Sequence, residues 1–210
     1  MQQFAAIVLV STAALTATAC LKKDTTHVLY LTPAGAVTWV VSDDDVHSDD
    51  RDWSKAVDEE SEFLDSVRGG SYAPLLALET VGGRAGSIEL LRTERPWEVR
   101  TSARFDRVDT LAAALLRELS ITGTATISSA AGLATLRITW TDDADAVDGP
   151  ETPVLAIIEE LEDYRVVLTD GHFVAAEGFT LSADGRVAIP VEQTTASAGP
   201  RHVSLTWTAR

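Results

Sequence analysis

Cysteine is almost missing from this chain. Cys20 is the only one, so neither a disulfide framework nor a thiolate zinc cage can be built. Basic side chains are also few, 17 Lys+Arg against 32 Asp+Glu, for a formal charge of -15. A nucleic-acid binder carries a basic footprint, and a protein docking on anionic lipid carries a basic patch. A chain with a pI near 4.5 offers neither. Long apolar runs are lacking too. The longest apolar and small-residue stretch, Phe4 to Ala19, has 16 residues, where a membrane-spanning helix needs about 20. No GxxxxGK[ST] loop and no GxGxxG turn is present, so no nucleotide is expected. HExxH, GxSxG and SxxK patterns are absent as well, and the chain reads as non-catalytic. What remains is 210 residues, 45% of them hydrophobic, too apolar for a disordered chain and the right size for one globular domain.

The N-terminus is the most informative stretch. The run Phe4 to Ala19 has the length of a secretory h-region and leads through small residues to Cys20. The segment Leu15-Thr16-Ala17-Thr18-Ala19-Cys20 resembles a bacterial lipoprotein lipobox. The resemblance implies a signal peptide over 1–19, cleavage before Cys20, a diacylglycerol on its sulfur and an acyl chain on its new amine. No other cofactor is expected. Three chains hold a protein on a membrane far more firmly than one. Residue 21 is Leu where an inner-membrane lipoprotein carries Asp, which implies the periplasmic face of the outer membrane. The signal has no charged side chain, so the portion from Cys20 keeps the full -15. Residues 20–26 are expected to form a lipidated tether, with Lys22 and Lys23 near the headgroups, and 27–210 a single domain.

Strands and helices alternate along that domain. His27–Leu31 and Ala36–Val41 flank Thr32-Pro33-Ala34-Gly35 and predict a hairpin. Ser42–Asp52 holds six carboxylates in eleven residues and reads as a solvated loop. Asp52–Arg68 predicts a helix with Trp53, Ala56, Val57, Glu60, Leu64 and Val67 on one stripe, stopped by Gly69-Gly70. A short helix, Ala73–Val81, follows with Ser71 as its cap and Pro74 in its first turn. Ser87–Thr93 and Trp97–Phe105 predict a second hairpin. Arg107–Leu119 is the clearest helix, with Asp106 as cap and an apolar stripe Val108, Leu111, Ala112, Leu115, Leu116, Leu119. Thr124–Ser129 and Leu133–Thr141 form a third hairpin. An acidic loop, Asp142–Glu151, then leads to a helix from Thr152 to about Asp163. Five strands close the chain: Arg165–Thr169, His172–Ala176, Phe179–Ser182, Arg186–Val191 and His202–Thr208. Consecutive strands in hairpins with helices between them predict an α+β fold, an antiparallel sheet covered by three or four amphipathic helices.

One element recurs: Val37-Thr38-Trp39, Ile138-Thr139-Trp140 and Leu205-Thr206-Trp207. Period two puts the aliphatic residue and the Trp on one face. Trp39, Trp140 and Trp207 either seal the rim of the core or line an apolar groove for a lipid or peptide. The acidic run offers Asp43, Asp45 and Asp49 as oxygen ligands for Ca²⁺, without the Gly and Glu of a calcium loop. His27, His47, His172 and His202 show no metal-binding spacing.

The Cys-anchored start, the hairpin HVLYLTPAGAVTWVV and a last strand ending in Trp resemble small α+β envelope lipoproteins of the LppM kind. That layout implies an envelope lipoprotein with a lipid-binding groove. Three readings follow. The first is a membrane-anchored module that binds an envelope protein or scaffolds. The second is a carrier or sensor of an apolar ligand in a Trp-rimmed groove. The third is an acid/base hydrolase built on Asp/Glu with His172 or His47, which requires a buried carboxylate beside a His in a cleft.

Overall fold

The computed structural model describes residues 21–141, 164–191 and 201–209. The signal region, Cys20, the second acidic loop and the helix expected over Thr152–Asp163 lie outside the described residues. Within them the fold is α+β, with fourteen elements: β1 (Leu21–Leu31), β2 (Val37–Ser48), α1 (Trp53–Gly69), α2 (Ala73–Thr80), β3 (Arg84–Arg92), β4 (Trp97–Phe105), α3 (Val108–Glu118), β5 (Thr122–Ala130), β6 (Leu133–Thr141), β7 (Tyr164–Leu168), β8 (Phe173–Glu177), β9 (Phe179–Leu181), β10 (Val187–Pro190) and β11 (Arg201–Thr208).

The strands form two sheets rather than one. The larger has the order β3-β4-β2-β1-β7-β10-β9, the smaller β5-β6-β11-β8. All expected hairpins form. The departure from an antiparallel sheet is β1 beside β7, parallel from His27↔Tyr164 to Leu31↔Leu168. A parallel neighbour needs a long connection, and here everything from β2 to β6 intervenes. Three helices are present among the described residues.

Alternation decides the inner face of the larger sheet. On β4, Trp97, Val99, Thr101, Ala103 and Phe105 are buried and their neighbours are not. On β2, Val37, Trp39, Val41 and Asp43 point in, then the parity changes and Val46 and Ser48 point in. The register slips between Asp43 and Val46, and Asp45 has φ 53. This is a β-bulge, whose extra residue switches the faces. The expected loop over Ser42–Asp52 is therefore strand as far as Ser48. Similarly, Leu21–Thr26, expected as tether, pairs with β2 from Leu21↔Ser48 to Thr26↔Ser42.

α1 is capped by Asp52, whose side chain accepts from Ser54 N at 3.0 Å, and it ends at Gly70 with φ 71. Its buried stripe is Ala56, Glu60, Phe63 and Val67. Trp53, expected on that stripe, is 73% exposed, and Val57 is exposed as well. The stripe turns towards Phe63, whose ring stands edge-on to Tyr72 with centroids 5.6 Å apart. The other two expected caps are also displaced. α2 starts after Tyr72 and α3 after Arg107, neither with a side-chain cap bond. Asp106 instead meets Arg84 at 2.8 Å. α2 is apolar on most of its surface and buries Pro74, Leu75, Ala77 and Leu78.

The main core joins both sheets and α3. Leu31, Val37, Trp39 and Val41 come from the larger sheet, Ala134, Leu136, Leu205 and Trp207 from the smaller, and Val108, Leu111 and Ala114 from α3. The β1–β2 turn pins these layers together. Gly35 O accepts from Val108 N at 2.8 Å, and Pro33 O accepts from Trp207 Nε1 at 3.0 Å. Gly35 has φ 90, a conformation that glycine takes without strain. A second cluster of Val46, Phe63, Val67, Tyr72, Trp97 and Val99 seats α1 on the other end of β2 and β4.

Candidate apolar cavity

A cavity of about 210 Å³ lies between the two sheets under α3. Eight elements wall it. β1 supplies Leu29 and Leu31, β2 Val37 and Trp39, α3 Val108, Leu111, Ala112 and Leu115. β6 adds Leu136 and Ile138, β7 Tyr164 and Val166, and Phe179, Pro190 and Leu205 come from β9, β10 and β11. The lining grades from buried residues such as Leu31, Trp39, Leu111 and Leu205 to half-buried Leu29, Leu115, Ile138, Val166, Phe179 and Pro190. Each wall residue arrives by its element's own period, two on the strands and three or four on α3.

The Trp39 and Tyr164 rings both meet His27. Trp39 Nε1 donates to His27 Nδ1 at 3.2 Å. The His27 ring in turn stacks on Tyr164, with centroids 4.2 Å apart and the planes parallel. His27 is 4% exposed. Its bond to the indole satisfies the Trp39 N–H. An apolar cavity of about 150 Å³ is large enough for a benzene ring.

The three tryptophans of the repeated element therefore separate. Trp39 lines the cavity. Trp207 is fully buried and ties β11 to the β1–β2 turn. Trp140, half-buried at the far end of β6, pairs with Arg201 across the strands. Local sequence places all three on strands, and only the sheet topology decides which one meets the cavity.

The acidic carboxylates are dispersed. Asp43 is 1% exposed and lies within 3.0 Å of Lys23 Nζ. It also accepts from Thr25 Oγ1 at 2.5 Å and from the Tyr72 hydroxyl. Burial, then the charge and hydrogen bond of Asp43, push the Tyr72 phenol far above its ordinary range, so it stays a donor. Asp45 is exposed in the bulge. Asp49 pairs with Lys22 at 2.8 Å, which holds its carboxyl below the usual range. Among the described residues no group of three His, Cys, Asp or Glu side chains is placed to hold a metal ion. Asp44 is pushed up by burial and by the charges of Glu98, Asp43 and Asp24.

Among the described residues the other buried carboxylate, Glu60, accepts from Ser48 N at 3.1 Å and meets Arg95 Nε at 3.2 Å. His47 leans on Asp45 O at 2.6 Å, and His172 is exposed. Neither histidine of the hydrolase reading is at Asp43 or Glu60 in these contacts. Among the described residues no helix is long and apolar enough to cross a membrane.

No protein-family model and no curated protein matches the chain. Among solved structures it is similar to the NMR structure of the folded domain of LppM from Mycobacterium tuberculosis, at 8% identity and a TM-score of 0.35. The alignment covers 90% of this chain and 91% of that one.

Proposed function

We propose that this chain is an envelope lipoprotein that binds an apolar ligand in the cavity between its sheets and catalyses no reaction. The observation that carries the reading is a wall drawn from eight elements in which no lining residue is charged. Ligand pockets are concave, mostly apolar and largely preformed. Filling an apolar cavity restores contacts its lining lacks.

The anchor belongs to the same reading. Lipidation of Cys20 attaches the chains next to Leu21, the first residue of β1, so β1 itself and not a flexible tether joins the domain to the membrane. The net charge of -15 repels the body from anionic headgroups.

Equilibrium dialysis of the full-length protein against radiolabelled octan-1-ol tests the binding. The expected result is one saturable site per chain. Uptake that never saturates, or none, overturns the reading. Mass spectrometry of the membrane fraction tests the anchor: a chain starting at acylated Cys20 is expected in wild type and is lost in Cys20→Ala. An unprocessed chain in the wild type refutes that part.

A further inference from the structure

We infer that Trp53 and Val57, at the start of α1, are a second point of contact with the bilayer that holds the lipid anchor, seated in its polar interface. The inference is independent of the cavity and rests on the lipidation of Cys20.

The course of α1 sets the direction of the contact. The Tyr72 hydroxyl, just past the end of the helix, meets Asp43 of β2. Phe63 and Val67 pack with Val46 and Val99. Glu60 accepts from the backbone N–H of Ser48, the last residue of β2. From Gly69 back to Trp53 the helix therefore runs outwards along β2 and past its end. Trp53 precedes Glu60 by seven residues, which at the rise of an α-helix is about 10 Å along the axis.

The anchor attaches at the same end. Leu21 pairs with Ser48, so β1 begins where β2 finishes. An acylated Cys20 is one residue, about 3.8 Å, from Leu21. With its chains in the hydrocarbon, this end of the sheet faces the headgroups. The polar layer of one leaflet is about 5–8 Å thick, and the ~10 Å reach of α1 is enough to enter it.

The side chains suit that boundary. Trp53 is 73% exposed, more than any other large hydrophobic residue among the described ones, and Val57 is exposed one turn along. An indole, apolar in its ring and polar at its N–H, favours the membrane–water interface. Arg51 and Lys55 flank Trp53 and are exposed, so they can reach headgroup phosphates while their stems cover apolar surface. Of the nearby carboxylates, Asp49 pairs with Lys22, Glu60 with Arg95, and Asp52 caps the helix through Ser54 N. Asp58 is exposed beside Val57. Charges of both signs at this end suit zwitterionic headgroups, whereas the -15 of the whole chain is repelled by anionic ones. One indole holds a membrane weakly on its own. The anchor makes its insertion an intramolecular step with a high effective concentration.

The test uses the full-length lipidated protein in vesicles of dioleoylphosphatidylcholine, with and without bromine near the top of the acyl chains. Bromine quenches an indole at short range. Part of the emission should be quenched in the wild type. That loss should vanish in Trp53→Phe, persist in Trp140→Phe and shrink in Val57→Glu. Trp53 and Val57 are exposed, so neither change threatens the fold. Flotation with the vesicles and the mass of the acylated chain are read on the same samples. A floating, acylated protein whose quenching is absent, persists in Trp53→Phe or ignores Val57→Glu overturns the second contact and leaves the anchor. A chain without acylation at Cys20 overturns both.

Discussion

Replacing Asp43 should damage the fold more than any other acidic substitution among the described residues. Its carboxylate is buried and holds three groups: Lys23, Thr25 and the Tyr72 hydroxyl. Asp43→Ala removes the acceptor and strands the buried phenol and the Lys23 ammonium. Breaking a buried, hydrogen-bonded charge pair costs about 3–5 kcal/mol. Lys23 is partly exposed and recovers some hydration, which favours the lower half of that range. A domain of this size loses about 2–4 °C per kcal/mol, so about 3–4 kcal/mol gives a Tm drop of roughly 6–16 °C by circular dichroism. Tyr72→Phe alone removes one bond to a charged acceptor, about 1.5–3 kcal/mol. In the Asp43→Ala background the same change should cost far less, because the hydroxyl has already lost its partner. The two costs are therefore not additive, by about 1 kcal/mol or more. Strict additivity, or an Asp43→Ala protein with the wild-type Tm, refutes the network.

Asp44 has its carboxyl pushed up, so its ionised form opposes folding above the raised value; Asp44→Asn should raise Tm at about pH 7 and lose that gain near pH 3, followed by thermal melts across the range. A gain that persists at low pH contradicts the assignment. Gly83→Ala should destabilise by about 1–3 kcal/mol in urea titration, because its Cβ would stand 2.6 Å from Leu78 O and 2.8 Å from Ala103 Cβ. Trp207→Phe should cost about 1–3 kcal/mol, since Pro33 O loses its donor in the core. Trp140→Phe should fall within about 0.5–1 kcal/mol on the half-buried rim. Equal costs would mean that the two repeats have the same role.

Much of the layout is legible in the sequence, because local physics sets it. Pro33 and Gly35 mark the first turn, Gly70 stops α1, and strict alternation on β4 identifies its buried face. Where the reading fails, a distant partner decides. Counting apolar residues puts Trp53 on the buried stripe of α1, yet the stripe turns to Phe63 because Tyr72 and Trp97 wait there. Counting carboxylates makes Ser42–Ser48 a loop, but Lys23, Thr25 and Tyr72 give Asp43 a place inside a strand. The parallel pairing of β1 and β7 leaves no local trace, since more than a hundred residues separate His27 from Tyr164. The cavity has no local signal either. Its lining is scattered from Leu29 to Leu205, and each residue looks like ordinary core at its own position. Of the three candidate groove tryptophans, Trp39 meets it through the topology of β2.

The central claim is that an apolar ligand occupies the cavity that Trp39 lines. Octan-1-ol brominated at its tail carbon tests this directly, because bromine quenches an indole only at short range. The account predicts saturable quenching at one equivalent, which disappears in Trp39→Phe and survives in Trp207→Phe. Saturable binding with Trp39 fluorescence untouched, or quenching that persists in Trp39→Phe, would contradict it.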